Sequence, residues 1–400
     1  MKKILKDNRG SITTVVTVTV LFFSVILSTA YMITSTNRKT QLKSEAIAKE
    51  TYEKPFDNLD KIREEVNGLP KTDETQPYFP GNDFKRVKGT NLSNGLVIED
   101  SDGNQYVWVE VPKNKTVYPT AGLNIVNFTD AEYNKIENDL HTYTSVYRNG
   151  TTFTDTWVAD NDNEGWFTES EYYAQKKRML KSVYQNGGFY VGRYEAGIAV
   201  NRTTSSTEKN SAGKYIAPKE VPVSKADAYP YTYVTRTQAK VLAEKVNSGS
   251  YTSSLMFGVQ WDLILAFMSR NSKITSTSLL TENSTTIGNY QNNLWNITNT
   301  KAKYSTDYGS SFTACPYKKT ANADVLLTTG ADISFLVQNI YDIAGNAWEW
   351  TLEQTSDNRG PCALRGGHYG NSGANRPTAD HYSSITTDNN FFLGFRVSMW

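Results

Sequence analysis

The sequence predicts an α+β protein, a loop-rich domain with small antiparallel sheets carried behind one long N-terminal membrane helix. Three observations predict it. No charged residue occurs between Gly10 and Asn37, and Ile12–Thr34 is dominated by Val, Ile, Leu, Phe and Thr, enough to cross roughly 30 Å of hydrocarbon as a helix. Aromatics are plentiful, with 25 Tyr and 8 Trp among 400 residues, a mix that suits strands and exposed loops better than a helical bundle. Just past residue 95, two short apolar runs flank an Asp/Gly/Asn turn, as a hairpin requires.

Composition excludes several functions. The formal net charge is +1, so no bulk electrostatic pull draws the chain to nucleic acid. Two cysteines, Cys315 and Cys362, are too few for a disulfide scaffold or a cysteine zinc site. One disulfide and two separate buried thiols both remain open. Three histidines, His141, His368 and His381, make a multi-histidine metal centre a poor fit.

Along the chain, Lys2, Lys3, Lys6 and Arg9 precede the apolar run and Arg38, Lys39 and Lys43 follow it. The bias favours a short inside N-terminus and a single-pass anchor with the bulk of the chain outside the cell. A cleaved secretory signal and a pilin-like leader compete with that anchor. Arg9-Gly10-Ser11-Ile12-Thr13 resembles the basic-Gly cleavage site of pilins, although Val15 stands where that family usually has an acidic residue. The helix is expected to end before Pro55, giving segment 1–54. Residues 55–94, with Pro-Tyr-Phe-Pro-Gly at 77–81, read as a stalk or linker.

The globular domain is placed at 95–400. Leu96–Glu99 and Tyr106–Val111 flank Asp100–Asn104, a clear hairpin with Asp102-Gly103 supplying the positive φ. Residues 112–185 read as an insertion holding a helix at Glu169–Tyr184. Gly188–Ala196 reads as a strand and 199–230 as loop. Thr235-Arg-Thr-Gln238 has capping-box spacing, so a helix begins there and runs to about Val246. A second fits Val259–Ser269, with Trp261, Leu265 and Met268 on one face. Residues 275–329 read as loop with short strands.

The last sixty residues carry the most specific pattern. Asn339–Trp350 (NIYDIAGNAWEW), then Leu364-Arg-Gly-Gly-His368, then Gly394-Phe-Arg-Val397 resemble, in order, the signatures of the formylglycine-generating-enzyme (sulfatase-modifying-factor) family. Gly188–Ala196 and Gly258-Val-Gln-Trp261 resemble its earlier motifs. The residues are legible without the family. Gly345 and Asn346 allow a tight turn, and on a strand Trp348 and Trp350 share one side with Glu349 opposite. Arg365-Gly-Gly367 and Gly394-Phe-Arg396 read as adjacent strands whose arginines pair with buried carboxylates.

The resemblance implies a C-type-lectin-like fold and a structural calcium at Gly345, Ala347 and Glu349, with a weaker one at Asn293, Leu294 and Asp307. In active relatives two cysteines after Arg-Gly-Gly hold copper. The matching positions are Asn371 and Arg376, which cannot hold cuprous copper as thiolates do, so no copper and no formylglycine generation are expected. Asp380, His381, Ser383 and Ser384 lie close in sequence, but adjacent Asp380 and His381 diverge on a strand and no nucleophile elbow is present. What remains is a displayed loop. Between Gly367 and Gly394 the candidate ligand contacts are His368, Tyr369, Asn371, Asn375, Arg376, His381, Tyr382 and Phe391, a Tyr/Asn-rich set like that of adaptable paratopes. The expectation is a membrane-anchored binding or adhesion protein, pilus-associated if the leader is processed, whose ligand is a protein or a glycan. A formylglycine-generating oxidoreductase and a structural minor pilin are the alternatives.

Overall fold

The computed structural model describes residues 69–148, 152–355 and 359–400, all within the second of two units, Leu69–Trp400. The expected membrane helix and residues 55–68 of the expected linker lie outside the described residues. Among the described residues no helix is long and apolar enough to cross a membrane.

Ten strands form the two larger sheets: β1 Lys85–Arg86, β2 Val97–Glu99, β3 Gln105–Glu110, β4 Gly188–Gly192, β5 Ser253–Leu255, β6 Trp348–Gln354, β7 Cys362–Arg365, β8 His381–Ser384, β9 Leu393–Phe395 and β10 Val397–Met399. Four main helices accompany them: α1 Asp130–Tyr143, α2 Glu169–Asn186, α3 Arg236–Ala243 and α4 Gly258–Met268. The six-stranded sheet runs β1-β2-β3-β4-β10-β5, the four-stranded sheet β8-β7-β6-β9, and four smaller sheets complete an α+β domain.

Local sequence explains most elements. The hairpin closes with Ile98 opposite Tyr106, and the Asp100 carboxylate accepts from the backbone N–H groups of Asp102 and Asn104 while Gly103 takes a φ of 83°. Thr235 and Gln238 form the expected capping box on α3. Helix α4 is buried on every side, Gln260 and Asp262 included, so Trp261, Leu265 and Met268 belong to a wholly buried central helix rather than to one face of an amphipathic one.

Two boundaries differ from expectation. Leu69 and Phe84 sit in the main core and β1 edges the larger sheet, so the folded unit starts well before Gly95. Arg365–Gly367 and Gly394–Arg396 are not adjacent: β6 lies between, antiparallel to β7 and parallel to β9. The chain then passes through Arg396 from the smaller sheet into β10 of the larger one, and this crossing ties the sheets together.

Candidate functional site

Two buried ion networks fix the ends of the segment that runs from Arg365 to Arg396. Arg365, fully buried, donates to Asp262 at 2.7 Å, to Glu353 at 2.9 Å and to the Asp380 carbonyl at 3.1 Å. Arg148 approaches the same carboxylates from the other side, at 2.7 and 3.1 Å. Arg396 places Nη2 2.6 Å from a Glu349 oxygen, and its remaining N–H groups reach both Glu349 oxygens and the Gly192 and Tyr341 carbonyls. Planar guanidinium groups suit such forked contacts. The expected pairing of both arginines with buried carboxylates is therefore present, but Arg148 and Asp262, distant in sequence, carried no local signal.

Carboxylates outnumber cations around Arg396. Asn346 Nδ2 and the Ala347 N–H both donate to Glu195, and the Gly330 N–H donates to Asp342. Burial foremost, then the charges on Asp342 and Glu349, hold Glu195 well above the usual carboxylate range. Burial likewise pushes Asp342 up to about 6. The implied calcium trio of Gly345, Ala347 and Glu349 shares this region. Both Glu349 oxygens face Arg396, which leaves the set without an open carboxylate oxygen, so these residues do not fit calcium as they stand. For the weaker trio, Asn293 donates to Gly288, Asp307 accepts from Ser305 and Ser311, and Leu294 is exposed.

Between the networks the chain forms a polar surface. At Gly367 φ is +76°, and a Cβ would fall 2.7 Å from the Arg376 carbonyl, so only glycine lets the loop double back. His368 N–H then donates to Asn371 Oδ1, Arg376 N–H to the Ser372 carbonyl, and Gln291 N–H to the Asn371 carbonyl. The result is an open cleft of ≈ 520 Å³ lined by Gln291, Gly370, Asn371, Ser372, Asn375 and Arg376.

An aromatic column flanks the cleft. The Arg376 guanidinium lies 4.5 Å over the Tyr382 ring, and Tyr382 stacks on Trp348 at 5.5 Å. His368 stacks on Phe392 at 4.7 Å, Phe392 meets Phe391 edge-on, and Phe391 meets Tyr308. Tyr382 and Tyr308 are exposed at 41% and 52%. Burial, then the charge on Arg376, push His368 down to about 4. The neutral ring fits its contact, because Nδ1 accepts from the Gly370 N–H at 3.1 Å and the proton therefore sits on Nε2.

Of the eight expected contacts, Asn371, Asn375 and Arg376 line the cleft, and His368, Tyr382 and Phe391 belong to the flanking aromatics. Tyr369 and His381 do not reach the surface. Tyr369 is 1% exposed, and the His381 imidazole is buried 3.4 Å from Glu353. Strand β8 explains the latter, since alternate residues point to opposite sides and Tyr382 takes the outer one. Asp380 pairs with Arg376, so it does not orient His381. Gln291, Ser372, Tyr308 and Phe392 were missed. Gln291 and Tyr308 lie far upstream in polar loop, where no pattern marks them. The cysteines are free and buried in different hydrophobic clusters, which excludes the disulfide alternative.

No family model matches the chain, and no curated protein matches it. Among solved structures it is similar to CarF, with 13% identity and a TM-score of 0.28 over 53% of this chain and 85% of that one. PvdO from Pseudomonas aeruginosa is similar with 12% identity and a TM-score of 0.29, over 54% and 81%. Treponema denticola variable protein 1 matches with 13% identity and a TM-score of 0.22, over 74% and 84%.

Proposed function

We propose that this chain is a membrane-anchored surface protein that recognises an external ligand through its 367–392 surface. Its scaffold is read as the formylglycine-generating-enzyme type of C-type-lectin-like fold, on the ordered C-terminal motifs of the sequence. One observation carries the reading: an open polar cleft, bordered by an exposed tyrosine and held between two buried ion networks. Rigid anchoring beneath adaptable polar and aromatic side chains is the physics of a recognition surface. Asn371 and Arg376, the positions matched to copper thiolates, line that cleft, and an amide and a guanidinium suit contact rather than cuprous copper.

The anchor reading rests on the uncharged 10–37 segment, with pilus association following if the leader is cut after Gly10. Mass spectrometry of the native N-terminus decides between anchor and processed leader. The recognition reading is tested on a combined glycan and protein array, with the wild type beside Tyr382→Ala. A specific binder that weakens on substitution supports it. A binder indifferent to Tyr382, or no binder at all, refutes it.

A further inference from the structure

We infer that the ligand is a carboxylate-bearing saccharide, seated in the cleft with Arg376 as its charge partner. This rests on the recognition reading above. The lining decides the class. Every contributing residue is polar or glycine: three carboxamides, one hydroxyl, one glycine backbone and one guanidinium. No apolar side chain lines the cleft, so a peptide would find nothing there to bury its side chains against. A saccharide hydroxyl donates and accepts at once, and the carboxamides of Asn371 and Asn375, the Ser372 hydroxyl and the Gln291 carboxamide oxygen offer both functions around it, Gln291 Nε2 being held by Asp324 at 2.8 Å.

The unengaged groups point the same way. Asn371 spends its Oδ1 on the His368 N–H, which leaves Nδ2 without a partner among the described residues. Asn375 is exposed, and its carboxamide has none either. Arg376 gives only Nη1 to Asp380, at 3.2 Å, so the Nε–Nη2 edge stays open. Its stacking over Tyr382, itself on Trp348, holds the guanidinium in place. Asp380 already neutralises one edge of the guanidinium and Asp324 accepts from Gln291 at the rim of the cleft, so selection of an acid rests on the open, planar Nε–Nη2 edge, which matches a carboxylate with two parallel hydrogen bonds, and not on a net positive charge. The ≈ 520 Å³ volume falls within the roughly 300–1,000 Å³ of small-ligand sites.

The test is calorimetric titration of the full chain in detergent. The probes are galacturonate, glucuronate and sialate oligosaccharides, each beside its carboxyl-reduced form, with oligoglutamate as the acidic peptide. At least one acid should bind about tenfold more tightly than its reduced form, as a charge-assisted pair implies. Arg376→Gln should close that gap, and Arg376→Lys should restore part of it. Equal affinity for acid and reduced forms overturns the charge assignment, and oligoglutamate binding as tightly overturns the saccharide assignment. If no saccharide binds while an array protein still requires Tyr382, the inference falls and the recognition reading stands. Intact unfolding transitions of both variants exclude misfolding as the cause.

Discussion

Replacing Arg365 with methionine removes the one guanidinium that bridges Asp262 and Glu353 within 2.9 Å, in a site with no solvent exposure at any of the three side chains. Arg148 remains, but it already contacts both carboxylates, and His381 reaches only Glu353, at 3.4 Å, so the two buried carboxylates lose the guanidinium that holds them closest. Breaking a buried pair in this way costs about 3–5 kcal/mol, a large part of a typical stability of about 5–15 kcal/mol. Denaturant unfolding of the full chain, followed by tryptophan fluorescence, reads the loss. The pH dependence separates this cause from simple underpacking. Burial alone would raise Glu353, but His381, Arg365 and Arg148 outweigh it and hold it well below the usual carboxylate range. A depressed carboxylate stabilises the fold above its unfolded pKa of about 4.3 and loses that contribution as pH falls below it. The wild type should therefore lose stability on acidification, whereas the orphaned carboxylates of the variant can take up protons and flatten that limb. A loss under 1 kcal/mol, or an unchanged acid limb, would refute the reasoning.

Three further outcomes follow. Asp342, raised to about 6, keeps its proton in the folded state above its unfolded pKa, so stability should fall as pH rises from about 4 to about 6; Asp342→Asn should remove that decline in a series of Tm values. Gly345 has a φ of +73°, and a Cβ there would lie 2.2 Å from the Asn289 carbonyl, so Gly345→Ala should cost more than the roughly 1–3 kcal/mol of backbone strain alone, measured by urea unfolding. Because Glu349 is engaged by Arg396, Tm should be the same in calcium and in EDTA, and a rise of several degrees with calcium would show that Glu349 can turn to an ion.

What was legible in the sequence follows from what local chemistry encodes. The β2–β3 hairpin and the cap of α3 were readable because Asp102-Gly103 and Thr235–Gln238 settle their own geometry within five residues. Helix α1 was missed: most of its 14 residues are polar, and only Ile136, Asp139 and Leu140 are buried, so the apolar period that reveals a helix is faint. For the site, the Tyr/Asn-rich run between Gly367 and Gly394 announced a displayed loop, and Asn371, Asn375 and Arg376 could be named from it. Gln291 and Ser372 could not. Gln291 completes the cleft from about eighty residues upstream, and Tyr369 and His381 were misassigned because inside and outside depend on which strand lies behind them.

The most direct measurement is hydrogen–deuterium exchange of the full chain with and without its tightest array binder. The recognition account predicts slowed exchange in 368–376 and 381–385, with 288–293 following through Gln291. Protection confined to other segments, or none anywhere despite saturating binding, would contradict it.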